Sequence, residues 1–154
     1  MANTVYYPPV GFFFKVQIDG LPDGESEFQE VTGLSATIET QQIVEGGENR
    51  FVHQLPLRVK SEKLVLKRGL KVSSALQDWC RKAIEEFSFS PKDIHVFLLD
   101  PGAANPNDNI LMSWHVVHAY PLKWSVSAFN AMENNLAIET IELQYNHFTK
   151  SHPT

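Results

Sequence analysis

Six histidines, one cysteine, a pair of adjacent glutamates and three tryptophans are the residues of this 154-residue sequence best suited to do chemistry. A structural or catalytic zinc needs three or four ligands that converge, usually from close spacings in sequence. His115 and His118 are three apart in a segment that alternates like a strand. That spacing puts them on opposite faces, so one ion could reach both only across a bulge. His53, His95, His147 and His152 are scattered. Cys80 falls on the apolar stripe of an expected helix, where a thiol behaves as a small hydrophobe. A reactive thiolate needs an exposed, electropositive setting, and the neighbouring Arg81 and Lys82 point away from the stripe. Glu85 and Glu86 read as a solvated helix face. Trp79, Trp114 and Trp124 sit at core spacing and read as packing residues rather than stacking platforms. There is no nucleophile elbow, phosphate loop or dinucleotide fingerprint, and the glycine pair of EGGEN lacks the strand-to-helix context such loops require. No catalytic residue, metal or cofactor is expected.

The elements that would position these side chains are mostly strands. Phe12, Phe14, Val16 and Ile18 alternate within a first strand over 10–19, followed by turn chemistry in GLPDGE. A short strand is expected near Phe28 to Val31, then another over 34–43. Leu34, Ala36 and Ile38 lie on its apolar face, opposite Ser35, Thr37, Glu39 and Gln41, which makes it half-buried. Residues 44–61 read as a long loop: Gly46 and Gly47 open it, and Pro56 disfavours a central strand. Its Phe51, Val52, Leu55 and Leu57 are too apolar for a solvated loop, so it is expected to pack either on its own body or on a neighbour.

A strand over 62–68 precedes the one clear helix, 74–87. Leu76, Trp79, Cys80, Ala83, Ile84 and Phe87 form its stripe, and Ser74 with Gln77 forms a capping box. Strands are then expected over 93–100, 110–120, 122–129 beyond a corner at Pro121, and 136–145. The polar face of the last one changes sides near Thr140, which reads as a bulge. The order predicts an α+β protein, mainly antiparallel β, with the sheet curled into a sandwich or a barrel, one α-helix and a long loop, in a single domain over 1–154.

The formal net charge of −5 argues against a simple nucleic-acid binder. Charge is also segmented. Residues 1–49 hold eight acidic and one basic residue, 50–82 two acidic and nine basic, and 83–154 eight acidic and three basic. Two readings stay open: the segments neutralise one another within the fold, or they form complementary surfaces that attract neighbouring copies. One cysteine allows no internal disulfide. The N-terminus has no basic, apolar leader, and no apolar run is long enough to span a membrane. Synthesis in the cytoplasm is expected.

In FKVQIDGLPDGESEFQEVTGLSATIET (14–40) and VEGG (44–47) the chain resembles the N-terminal half of phage tail tube proteins of the contractile-tail class. LVLKRGL (64–70) and the helix with Leu76 and Trp79 are similar to the family's middle segment. DIHVFLLD (93–100), AYPLKWSVSAFNA (119–131) and AIETIELQY (137–145) are similar to its C-terminal half. No single piece is specific, but the ordered set is. The resemblance implies a fold of two packed sheets forming a barrel-like sandwich with one α-helix, and six-fold rings stacked into a hollow tube inside a contractile sheath, a design shared by phage tails, extracellular injection systems and the type VI secretion tube. The implied partners are the chain itself, the sheath protein, baseplate and cap proteins, and a payload or tape-measure protein in the lumen.

By family position, Glu45, Gly46, Gly47, Asn49 and Arg50 are expected at an inter-ring contact. Arg68 is expected to pair with an acidic group on a neighbour. Ser35, Thr37, Glu39 and Gln41 are the candidates for a polar lumen wall. An initiator or adaptor ring of the same machine is an alternative. A monomeric ligand-binding β-sandwich and an enzyme on a barrel scaffold are the rivals from other classes.

Overall fold

The structure is a computed structural model, and it describes residues 14–22, 27–44, 46–47, 50, 52–102 and 110–152. Its strands are β1 (Phe14–Ile18), β2 (Glu30–Thr32), β3 (Ala36–Ile43), β4 (His53–Ser61), β5 (Leu64–Gly69), β6 (Lys92–Leu99), β7 (Ile110–Val126), β8 (Ile138–Gln144) and β9 (His147–Ser151). The helix α1 (Ala75–Glu85) lies between β5 and β6. All strand pairs are antiparallel.

Seven strands form one sheet in the order β1-β6-β7-β8-β5-β2, with β9 also paired to β7. The sheet folds over on itself along β7. The first part of β7 pairs β6 and β9, and from Tyr120 onward it pairs β8. The bend is at His118, whose φ of 53° is a left-handed value that a non-glycine residue rarely adopts. Asp93 holds it in place: its carboxylate accepts the His118 amide at 3.1 Å and meets His115 Nε2 at 2.9 Å. The ladder shifts register between Pro121 and Lys123. The corner expected at Pro121 is therefore a bend within one continuous strand. The ladder does not close between β1 and β2, so the sandwich is open rather than a barrel.

One core fills the fold. Val16 and Ile18 of β1, Ile94 and Val96 of β6 and Val116 of β7 meet Leu64 and Leu66 of β5 and Ile141 and Leu143 of β8. Leu76, Trp79 and Cys80 of α1 cover them. Each aliphatic side chain taken out of water contributes about 1.5–3 kcal/mol. The apolar alternation expected in these strands is the alternation observed, except at Glu139. This glutamate lies on the inward face of β8 between Ile141 and the strand's start, and it is 0% exposed. It explains the apparent change of face near Thr140. β8 alternates without a break, and the bulge lies in its partner β7.

Arg68 answers the buried charge. Its Nε lies 3.1 Å from Glu139 Oε1, and it is 1% exposed. A terminal nitrogen of Arg68 donates to Ser74 Oγ at 2.7 Å, and Gln77 Nε2 donates to Glu139 Oε2 at 2.8 Å. The expected pairing of Arg68 with an acid on a neighbour is corrected: its partner is in its own chain, inside the core. The same network changes the cap of α1. Ser74 Oγ accepts the Gln77 amide at 3.0 Å, but the Gln77 side chain turns to Lys71 O and Glu139 instead of closing a capping box.

The charge segments neutralise one another to a large extent. Acids of 1–49 meet bases of 50–82 in Glu39–Arg58, Glu39–Lys60, Glu30–Lys67 and Glu27–Lys71.

Candidate functional site

Two strands stand outside this body. β3 and β4 form their own two-stranded sheet, the one place among the described residues where sequence alternation does not bury a face. The expectation of a loop over 44–61 is corrected here. Its second half is the nine-residue strand β4, with Pro56 inside it. Proline is tolerated because a two-stranded sheet has only edge strands, where a missing N–H costs no inner ladder bond. Register jumps from Glu39↔Arg58 to Thr40↔Pro56, which leaves Leu57 as an extra, unmatched residue.

The half-burial expected for β3 is also corrected: Ile38 is 59% and its cross-strand partner Val59 66% exposed. Leu57, Leu55 and Val52 are exposed too. A lone hairpin is marginal in water, and contiguous exposed aliphatic side chains mark an interaction surface. The opposite face is polar in its half nearest the body and carries Leu55, opposite Gln41, and Ile43 further out. Thr37, Glu39 and Gln41 share it with Arg58 and Lys60, as the register requires. Arg58 Nε donates to Glu39 Oε2, and Lys60 Nζ lies 3.9 Å from Oε1. The Arg58 hydrogen bond holds the Glu39 carboxyl below its ordinary range.

The root of the hairpin is rigidly built. Gly33 has φ of 96°, and a Cβ there would fall 1.8 Å from the Lys63 carbonyl oxygen, so only glycine lets the two arms pass. Tyr145 Oη donates to the carbonyl oxygens of Gly33, at 2.8 Å, and Ser35, at 3.4 Å. Burial pushes the Tyr145 phenol above its ordinary value, so it stays a protonated donor. Ser35 belongs to this root, not to β3, and its hydroxyl is buried without a hydrogen-bond partner. It is thereby corrected as a candidate for an open polar face; Thr37, Glu39 and Gln41 are the ones the structure brings together.

At the other end, Gly46 and Gly47 form a turn, with φ of 105° at Gly47. A Cβ on either would meet nothing within 4 Å. Arg50 is exposed near them, while Glu45 and Asn49 lie outside the described residues.

Elsewhere the side chains with chemical potential are turned to packing. His95 and His115 stack at 4.6 Å between ring centres, beside Asp19 and Asp93. Among the described residues no group of three or more His, Cys, Asp or Glu side chains could hold a metal ion. Burial pushes the Cys80 thiol up to about 12, a value at which no useful thiolate exists near neutrality. Trp79 is buried and donates to Ser90 O at 2.8 Å. Trp124, expected in the core, stands in the wall of a surface groove with Ile84 instead. Sequence reasoning also counted Ile84 and Phe87 as core because both fall on the stripe. Ile84, inside the helix, and Phe87, beyond its end at Glu85, are both exposed. No helix among the described residues is long and apolar enough to cross a membrane.

Comparisons with known proteins agree with this arrangement. The model of the T4-like virus tail tube protein gp19 family matches residues 10–149. A chain from the baseplate structure of the anti-feeding prophage is 27% identical, with a TM-score of 0.82 over 96% of this chain and 98% of that one. A chain from the tube-terminating cap of the same particle is 26% identical, with a TM-score of 0.80 over 99% and 100%. A chain from the sheath-tube complex of an extracellular contractile injection system is 24% identical, with a TM-score of 0.79 over 97% and 95%. Comparison with curated proteins gives no significant match.

Proposed function

Because the chain belongs to the tail tube protein family typified by T4-like virus gp19, a family of structural proteins, we propose that it is the repeating subunit of the inner tube of a contractile tail or injection particle. The single observation that supports this most is the β3–β4 hairpin. Its root is fixed by Gly33 and Tyr145, and its Ile38–Val59 face has no cover among the described residues of its own chain. A monomer gains nothing by holding such an element in water. A subunit whose neighbours cover it gains about 25 cal/mol for each Å² of apolar surface removed.

In this reading residues 1–154 act as one unit, six copies close a ring, and rings stack around a lumen. Rings need unlike, complementary surfaces on each copy. The hairpin tip carries the inter-ring contact, through Gly46, Gly47 and Arg50 with Glu45 and Asn49 beside them. Thr37, Glu39 and Gln41 face the lumen, where a wall of paired charges and hydroxyls passes cargo without gripping it. The tube works without catalysis or cofactor. Its partners are its own copies, the sheath outside, baseplate and cap proteins at the ends, and a payload or tape-measure protein inside. It is made in the cytoplasm and assembled into the particle.

Negative-stain microscopy of concentrated pure protein tests this: hollow tubes of uniform diameter with six-fold end views are expected. A strictly monomeric protein would remove the reading. Two of the similar chains come from baseplate and cap structures, which favours a second reading as an initiator or terminator ring. Polymers of indefinite length support the tube subunit; single rings that never stack support the terminal role.

A further inference from the structure

β1 and β2 end the curled sheet, and no ladder joins them. The sandwich has a mouth between them, and among the described residues a groove of about 270 Å³ remains there. One wall comes from Phe14 of β1, Leu98 of β6 and Trp114 of β7. The other comes from Val31 of β2 and from Leu34 beyond it. All five are half-buried, although Phe14, Val31, Leu34 and Trp114 pack against the core.

The character of the groove narrows what fills it. Its volume falls under the roughly 300–1,000 Å³ of small-molecule sites. Glu30 is the one charged side chain in its described wall, and Lys67 pairs with it at 3.4 Å, so no unmatched charge calls for a ligand. What fits is an apolar side chain carried in by a polypeptide.

The chain brings one to the spot. Residues 1–13 lie outside the described residues and lead directly into Phe14. They hold Tyr6, Tyr7, Phe12 and Phe13 and no charged side chain. Phe12 continues the alternation of Phe14, Val16 and Ile18, of which Val16 and Ile18 are buried and Phe14 lines the groove. Two strand residues advance about 7 Å and return to the same face of the sheet. β6 also offers a rung: Phe14 stands opposite Leu98, and β6 runs on to Leu99. Pro8 and Pro9 lack the N–H of a ladder residue, which limits the extension to the residues after them.

We infer that residues 10–13 extend β1 along β6 and that Phe12 seats in this groove of its own chain, closing the mouth between β1 and β2. Tethering selects the occupant. A segment joined to the groove wall acts at a roughly millimolar effective concentration, which the same segment of another copy in dilute solution does not reach. This closure belongs to the single chain and does not depend on the tube reading.

Photo-cross-linking of the unassembled full chain tests it. Isotopically light and heavy copies, each with p-benzoylphenylalanine in place of Phe12, are mixed, irradiated and mapped by mass spectrometry. Products are expected to join position 12 to Val31, Leu34, Leu98 or Trp114 within chains of one isotope. Products that join light to heavy chains assign the groove to another copy, and products elsewhere in the chain place Phe12 outside it; either result overturns the inference. Melting supplies a second readout. Phe12→Ala is expected to lower the thermal midpoint by about 5–10 °C. Phe13→Ala, on the opposite face by alternation, is expected to lower it by less than about 3 °C. Phe12→Leu keeps an apolar side chain in the groove and is expected to recover more than half of the loss. Equal losses for the two alanine variants, or no loss for Phe12→Ala, would also overturn the seat.

Discussion

The body of the molecule and its hairpin are built from the same kind of strand and meet opposite fates. β5 and β8 bury Leu64, Leu66, Ile141 and Leu143 completely, and they hide an arginine and a glutamate among them. β3 and β4 alternate as well, yet they leave Ile38 and Val59 more than half exposed. The difference lies in the joints. At Gly33 the chain turns away from the sheet at a point where no side chain fits, and Tyr145 ties the turn to the body. Alternation therefore states that a strand has an apolar face, but not whose surface covers it. In the body the cover is the helix and the opposite layer of the same chain. In the hairpin none of the described residues of the same chain supplies it.

This contrast can be broken on its inner side first. Arg68→Met leaves Glu139 buried without its cation, which costs about 3–5 kcal/mol. At about 2–4 °C per kcal/mol for a chain of this size, the thermal midpoint is expected to fall by roughly 6–20 °C. Arg68→Met with Glu139→Leu removes both charges and should recover most of the loss. If the single variant melts like wild type by circular dichroism, the network is not what locks the helix to the sheet.

The glycines at the two ends of the hairpin give the next largest contrast. Gly33→Ala drives a Cβ into the Lys63 carbonyl at a strained φ, for about 3 kcal/mol. Gly46→Val at the tip meets no neighbour, so its melting curve is expected to match wild type while tubes vanish from micrographs. Normal tubes from Gly46→Val would take the tip out of the inter-ring contact.

The smallest effect concerns the bend of β7. Asp93 has its carboxyl held below the ordinary range, first by the His118 amide and then by the His115 ring. A depressed folded value means that the contribution is present above the unfolded carboxylate range and is lost as pH falls through the folded value, below the ordinary 3.8. Urea midpoints from pH 6 down to pH 2 should therefore drop more steeply for wild type than for Asp93→Asn below about pH 4. Parallel curves would show that the bend does not depend on this carboxylate.

Much of the fold was legible in the sequence, and the reasons are physical. Period-two runs in β1, β5, β6 and β8 and the helical stripe of α1 needed no tertiary information to be placed. Arg68 was misread because a cation between Lys67 and Gly69 looks like surface. Only its cross-strand partner, Glu139 on β8, shows that it points inward. The glutamate itself left a trace, the apparent change of face near Thr140, which was taken for a bulge. β4 was hidden by Pro56, since the cue that excludes a central strand does not exclude an edge. β9 was missed because its five residues are mostly polar and only Phe148 packs against the core.

The candidate site was half legible. The apolar residues of the supposed loop, Val52, Leu55 and Leu57, were visible in the sequence, but their exposure in the structure was not. The exposure of Ile84, Phe87 and Trp124 had no sequence signal, because all three fall on periodic positions that normally face a core.

The central claim is that the hairpin is covered only by another copy. Amide hydrogen exchange read by mass spectrometry, on the same protein before and after assembly, tests it most directly. Peptides from β3 and β4 are expected to exchange rapidly in the unassembled chain and slowly in the polymer, while β6, β7 and β8 stay protected in both. A hairpin that exchanges at the same rate in the two states would contradict the account.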